Sequence, residues 1–306
     1  MTATRGDHHV RGMRLAYHTW GAPSSPAVLV LHGFMDHGRA YAPAVELLER
    51  DLYVIAPDLR GHGASDWVGA GGYYHFYDYF FDVRALLRHL AVERFSIVGH
   101  SMGGSVATGF AALNAARVER VMLLEGMGPP FSKLADTVTR LSQWSEALEW
   151  DRVSGDVATR RAKRRVMKDE ADAASKLRGM NPRLSEVLAL RLASTFTEPS
   201  EDGTGVVWCY DPLHRTPAAK PFVREEAEAY WSTLSMPVLS LYGEHGWAPD
   251  DVAERHAIVP DLRTRQVLGA GHNIHHDKPA TVARLMEAFL GDGEVPALED
   301  VVSVSR

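Results

Sequence analysis

The sequence holds a single cysteine, Cys209, among 306 residues. No intramolecular disulfide is possible, and the fold must rest on its core. The flanking "VVWCYDP" has no glycine-bounded turn of the kind that presents a nucleophile, so Cys209 reads as packing. No apolar run approaches the ~20 residues a membrane-spanning helix needs. The first residues, "MTATRGDHHVRGMRLAYHTWG", lack the apolar centre of a signal peptide. The expectation is a cytoplasmic protein with no membrane span. Positive charge is also short: 33 Lys and Arg stand against 39 Asp and Glu, for a net charge of −6. Binding a nucleic-acid backbone needs concentrated positive charge, so a nucleic-acid partner is not expected.

What remains is ordinary for a globular chain, with 45% hydrophobic and 24% charged residues. Short apolar runs recur, each closed by Gly, Pro or Asp: "AVLVLHG" (27–33), "LYVIAPD" (52–58), "FSIVGHS" (95–101), "VMLLEGMG" (121–128), "PVLSLYGE" (237–244) and "TRQVLGAGH" (264–272). Runs this short and continuously apolar fit strands buried on both faces, as in a parallel sheet. Helical patterns lie between them. In "DYFFDVRALLRHLA" (78–91), Tyr79, Phe80, Val83, Leu86, Leu87 and Leu90 share one face, and Asp78 is placed to cap the start. In "DKPATVARLMEAFL" (277–290), Pro279 suits a first turn, and Val282, Leu285, Met286 and Phe289 form the apolar stripe. Alternating strand and helix predicts a mostly parallel, doubly wound α/β sheet. The rhythm breaks between 129 and 234, where helical periodicity prevails without a convincing buried strand. The expected organisation is a core from 1–128 and 235–306 with a helical cap, 129–234, over one end of the sheet. The run "RRAKRR" (160–165) reads there as a solvated helix face. The tail after Leu290 reads as surface chain.

Gly99-His100-Ser101-Met102-Gly103 follows the strand "FSIV" and precedes the helix pattern "SVATGFAAL". A serine between glycines at that junction matches a nucleophile elbow, which exposes its hydroxyl at the sheet edge. A serine needs a base. His272, directly after "GAG" at the end of the last long strand, stands where ligands meet an open α/β sheet. His275 and His276 read as surface or supporting polar residues, and no carboxylate pattern nearby makes a metal site of them, so no metal and no cofactor are expected. The backbone N–H groups of Phe34, in "LHGFMDHG", and of Met102 are the candidate donors for a developing oxyanion. His32 reads as a hydrogen-bonding anchor of that loop.

Taken in order, "HGF" (32–34), "DLRGHGASD" (58–66), "GHSMGG" (99–104) and "GAGH" (269–272) resemble the α/β-hydrolase superfamily over nearly the whole chain. "YHFYDY" (74–79) and "LLEGMGP" (123–129) are similar to segments of the bacterial and animal serine-hydrolase-like proteins. The resemblance implies an α/β-hydrolase fold with a helical cap and a serine nucleophile. It also exposes a departure. The acid of such sites usually stands three residues after the glycine of "LYGE", and here that position is Gly246, which cannot orient an imidazole. Glu125, at the end of "VMLLEG", is the preferred substitute, because a carboxylate beside a buried strand end needs a partner and His272 would be one. Glu244, Asp250 and Asp251 are the alternatives.

A serine nucleophile with an oxyanion hole implies acyl transfer to water from a small-molecule ester, lactone or thioester. Trp247 is the candidate pocket residue. Cleavage of carbon–carbon bonds in diketones is the alternative chemistry, and a slow-turnover ligand receptor of the same fold is the alternative class. Monomer and dimer both remain open.

Overall fold

The computed structural model describes residues 2–304. Strands β1 (Thr4–Val10) and β2 (Met13–Trp20) open the chain. Then come β3 (Ala27–Leu31), the single-turn helix α1 (Ala42–Val45), β4 (Tyr53–Pro57), α2 (Asp78–His89), β5 (Phe95–His100), α3 (Met102–Leu113) and β6 (Val118–Leu124). The next stretch carries α4 (Thr137–Leu148), α5 (Val157–Ala162), α6 (Glu170–Met180), α7 (Glu186–Phe196), a small hairpin of β7 (Thr197–Pro199) and β8 (Val206–Trp208), and α8 (Arg224–Trp231). The chain returns through β9 (Val238–His245), α9 (Val252–Ile258), β10 (Leu262–Gly271), α10 (Ile274–Asp277), α11 (Pro279–Leu285) and β11 (Val301–Ser303). Among the described residues, no helix is long and apolar enough to cross a membrane.

Nine strands form one sheet in the order β1-β2-β4-β3-β5-β6-β9-β10-β11. The six from β4 to β10 run parallel, while β1, β2 and β11 pair antiparallel at the edges. Each central strand splits its side chains between two cores by the two-residue pleat. Leu29, Leu31, Ile55 and Ile97 face α2, α3 and α8, and pack with Leu86, Phe110 and Trp231. Val28, Val30, Val54 and Val98 face α1 and α11, and pack with Val45, Leu285 and Phe289. Burial on both faces explains why these strands read as unbroken apolar runs.

Several expectations change. The antiparallel strands β1, at the edge, and β2, beside it, are outside the six apolar runs, because antiparallel strands with one wet face keep their polar residues. The tail lies at the surface as expected, but Val301–Ser303 is ordered there as a strand paired with Val267–Arg265. Asp78 does not cap α2. It is the first helical residue, and its carboxylate lies 2.7 Å from Arg60 Nη1. "RRAKRR" is not a wholly solvated face either. Arg160 is fully buried, held by Asp211 with two contacts of 3.0 and 2.9 Å, and Arg160, Arg161 and Arg164 surround the Trp67 ring.

Candidate active site

Three strand ends meet at the carboxyl edge of the sheet. At the end of β5, Ser101 has φ 51° and ψ −118°, a strained conformation that turns strand into helix within one residue. Such a conformation costs on the order of 1–3 kcal/mol and persists only when neighbours enforce it. Here the Ser101 N–H donates to Leu124 O at 3.0 Å, and Ser101 O accepts from Gly104 N at 2.9 Å. The flanking glycines are steric requirements: a Cβ on Gly103 would stand 2.2 Å from Leu31 O, and one on Gly104 2.3 Å from Gly126 Cα.

His272 follows β10 directly, and its Nδ1 lies 2.6 Å from Glu125 Oε2. Glu125 is the residue after β6 and adopts a left-handed φ of 49°. Its side chain is fully buried, while that of His272 is 37% exposed. The carboxylate also accepts from Gly243 N at 3.0 Å and Trp247 N at 2.8 Å. Three donors, one from β9 and one each from the loops after β9 and β10, therefore fix it. With Nδ1–H given to Glu125, His272 presents Nε2 as its free, basic nitrogen. Among the described residues no hydrogen bond joins Ser101 Oγ to His272. The neighbouring His100 links the two loops instead, with Nε2 donating to His272 O at 3.0 Å and its ring centroid 4.8 Å from that of His272. Burial, then the nearby His275, pushes His100 well below the ordinary histidine range, so it is a neutral spacer.

The departure at Gly246 has a steric cause. A Cβ there would lie 1.5 Å from Glu125 Oε1. The space a side chain at 246 would occupy is filled by the carboxylate arriving from β6. The alternative acids go elsewhere. Glu244 is exposed and accepts from Gly269 N at 2.8 Å, and Asp251 pairs with Arg255 and Arg224. Asp250 is exposed.

The loop of Phe34 lies against the elbow, since a Cβ on Gly33 would be 3.4 Å from Ser101 Cβ. His32 anchors it: Nδ1–H donates to Gly33 O at 2.8 Å, and Nε2 accepts from Leu59 N at 2.9 Å. Met102 is the first residue of α3, where a helix N–H has no acceptor one turn back. Ser101, Met102, Glu125 and Trp247 line a common cavity of about 290 Å³ whose other walls include Phe76, Phe222 and Tyr230. A second cavity, about 220 Å³, is lined by Phe34, Asp36, Asn273 and His276. Its walls include Leu184, Leu192 and Phe196 from the stretch between β6 and β9.

His275 and His276 are buried, not at the surface. Their partner is Asp36, 239 positions from His275, whose Oδ2 lies 3.2 Å from His275 Nε2 and 3.8 Å from His276 Nε2. Ligand atoms of the three residues lie within 4.8 Å of one another. Burial lowers both histidines to about 3 and raises Asp36, so the imidazoles are neutral. The sequence signals the histidines but not the carboxylate that meets them. Cys209 is half-buried with Sγ 3.7 Å from Thr195 O, and desolvation raises its thiol above the ordinary range.

The fold and this edge define a class, and comparison with known families agrees with it. The model of the alpha/beta hydrolase family matches residues 28–285, and the chain belongs to that family. It is 36% identical over 168 residues to the serine hydrolase-like protein of Danio rerio, covering 55% of this chain and 50% of that protein. It is 37% identical over 123 residues to the 3-hydroxybutyrate-oligomer hydrolase of Cupriavidus necator, covering 40% of this chain and 42% of that protein. Thus the chain spans half or less of the length of these curated relatives. Among solved structures, the thioesterase domain from the curacin biosynthetic pathway superposes with a TM-score of 0.81 at 26% identity, covering 94% of this chain and 99% of that one. Within that family the chain is similar to the serine hydrolase-like proteins.

Proposed function

We propose that the protein is a serine hydrolase of carboxylic esters, thioesters included, working through an acyl-enzyme on Ser101. The observation that carries this is the coincidence at one sheet edge of a strained serine elbow with a histidine whose Nδ1 is held 2.6 Å from a buried carboxylate. His272 Nε2 takes the proton from Ser101 Oγ as the oxygen attacks the acyl carbon. The carbonyl π electrons move to oxygen, where the N–H groups of Phe34 and Met102 receive the negative charge. Two such donors are each worth ~10²–10³ in turnover. Collapse of the intermediate breaks the bond to the alcohol or thiol, which leaves with the proton from His272. Water then repeats the sequence on the acyl-enzyme, with His272 as its base. Glu125 holds the tautomer and stabilises the imidazolium without taking a proton. The helices between β6 and β9 serve as the cap, and the cavity beside Trp247 receives an uncharged acyl group.

The test is hydrolysis of p-nitrophenyl acetate together with labelling by a fluorophosphonate. Wild-type protein should turn over the ester and take the label on Ser101, and Ser101→Ala should do neither. Diketone cleavage without ester turnover would move the assignment to carbon–carbon hydrolysis. Failure of folded wild-type protein to react with the label would leave a ligand receptor rather than an enzyme.

A further inference from the structure

The run "RRAKRR" is only partly used by the packing around Trp67. Its second half, Lys163, Arg164 and Arg165, turns to a separate cavity of about 490 Å³, whose walls also carry Arg152, Lys176 and Arg215. Six cationic side chains line this cavity and no carboxylate does. Three have acidic partners: Lys163 with Asp151, Arg164 with Glu198 and Lys176 with Asp172. Glu198 is shared with Arg161, which dilutes it further. Among the described residues Arg152, Arg165 and Arg215 have no ion pair. Arg164 is the built element, with its side chain 5% exposed and Nη1 donating to Trp208 O at 3.0 Å. In a chain of net charge −6, six cations gathered round one cavity make it a place where an anion is electrostatically favoured.

The position of the cavity gives that anion a role. Trp208, Tyr210 and Arg215 line both this cavity and the smaller one that reaches Phe34 and Asn273, the neighbour of His272. The apolar pocket beside Ser101 and Trp247 lies among different residues. An acyl group in the Trp247 pocket thus leaves the other half of the ester on the Phe34 side, toward the cations. We propose that the hydrolysed substrate carries a phosphate or pyrophosphate on its alcohol or thiol half, and that Arg152, Arg164, Arg165 and Arg215 bind it. This rests on the acyl-transfer reading above. Arg is suited to it, because its planar fork meets phosphate oxygens two at a time.

The experiment has two arms. In the first, calorimetry titrates pyrophosphate into Ser101→Ala protein and into the same protein carrying Arg152→Ala and Arg165→Ala, residues outside the catalytic edge. Saturable binding below 1 mM on the ~millimolar affinity scale, weakened at least tenfold by the two substitutions, is expected. No saturable heat overturns the anion site whether or not the enzyme is active. In the second arm, kcat/KM is compared for hexanoyl-4′-phosphopantetheine and hexanoyl-pantetheine, which share the acyl group and the thiol and differ only by one phosphate. Wild-type enzyme should prefer the phosphorylated thioester at least tenfold, and Arg152→Ala/Arg165→Ala should erase the preference while leaving hexanoyl-pantetheine within twofold. Pyrophosphate binding with equal rates on the two thioesters would mean a free anion ligand, and overturns the substrate assignment. If neither thioester nor p-nitrophenyl acetate is hydrolysed, the acyl-transfer reading falls and takes the substrate assignment with it, while the calorimetric arm still decides the anion site.

Discussion

Gly246→Ala is the smallest change that tests how Glu125, the proposed acid, is held. Gly246 has no positive φ, so alanine fits its backbone and only the new methyl group matters. That methyl would lie 1.5 Å from Glu125 Oε1, whereas real contacts of this kind stay beyond 3.0 Å. The carboxylate must therefore retreat by about 1.5 Å, or the loop must move as far. Either motion breaks the 2.6 Å hydrogen bond to His272 Nδ1 and loosens those from Gly243 N and Trp247 N. A misplacement of ~1 Å costs ~10² in rate, and a wrong tautomer of the base costs up to ~10⁴. The expected result is a kcat on p-nitrophenyl acetate lower by ~10²–10⁴, with KM changed far less, because the alanine adds nothing to the acyl pocket. Circular dichroism should show the fold retained, with a lower Tm from the disturbed backbone donors. The companion variant is Glu125→Gly with Gly246→Asp. Removing Glu125 vacates the space a side chain at 246 would fill, so an aspartate there should orient His272 and exceed Glu125→Gly alone by ~10-fold or more, a recovery of ~1.4 kcal/mol in barrier. A Gly246→Ala enzyme with wild-type kcat would refute the reasoning, and so would a double variant no better than Glu125→Gly.

Three further outcomes follow from the same geometry. Asp211→Ala should destabilise the protein by ~3–5 kcal/mol in urea unfolding, because it leaves the buried Arg160 without its carboxylate; a cost under ~1 kcal/mol would mean that water reaches Arg160. Phe289→Ala, emptying a fully buried site where the helical turn after α11 packs on the sheet, should cost ~3–5 kcal/mol by the same assay. Stability should fall as pH drops from 6.5 toward 4. Burial lowers His62 and His256 from the ordinary 6.5 to about 4, so in this window the unfolded chain binds the protons that the fold refuses. Each such proton contributes a slope of ~1.4 kcal/mol per pH unit, the stability being complete above 6.5 and lost on acidification. Urea midpoints that stay flat over this range would show that these histidines charge in place.

The parts of the fold legible in the sequence are those where one physical demand acts alone. Central strands must be apolar on both faces, so β3, β4, β5 and β9 announce themselves as runs. β1, in "TRGDHHV", alternates exposed and buried positions, and only its pairing with β2 makes it a strand. β11 likewise owes its existence to the free edge of β10. The charged run at 160–165 misleads for the same reason. Arginine is buried only when a partner is present, and Asp211 stands 51 positions away.

The site divides along the same line. The elbow is a local necessity, since Gly103 and Gly104 are demanded by Leu31 O and Gly126 against a single turn, and such a constraint leaves its mark within five residues. His272 is legible because it ends the last long strand. The carboxylate is written in two distant places at once. Glu125 alone is one acid among 39 Asp and Glu, and Gly246 alone is one glycine among 26. Only as a pair do they carry information, because the side chain at one position fills the space the other would need. By that argument the glycine at 246 is part of the site's chemistry, and a reading that scores only side chains passes over it. Asp36 shows the limit of such pairing. Nothing in "HGFMDHG" distinguishes it until α10 sets His275 against it, 239 positions on. A polar residue whose partner leaves no gap elsewhere in the chain has no second mark by which to be found.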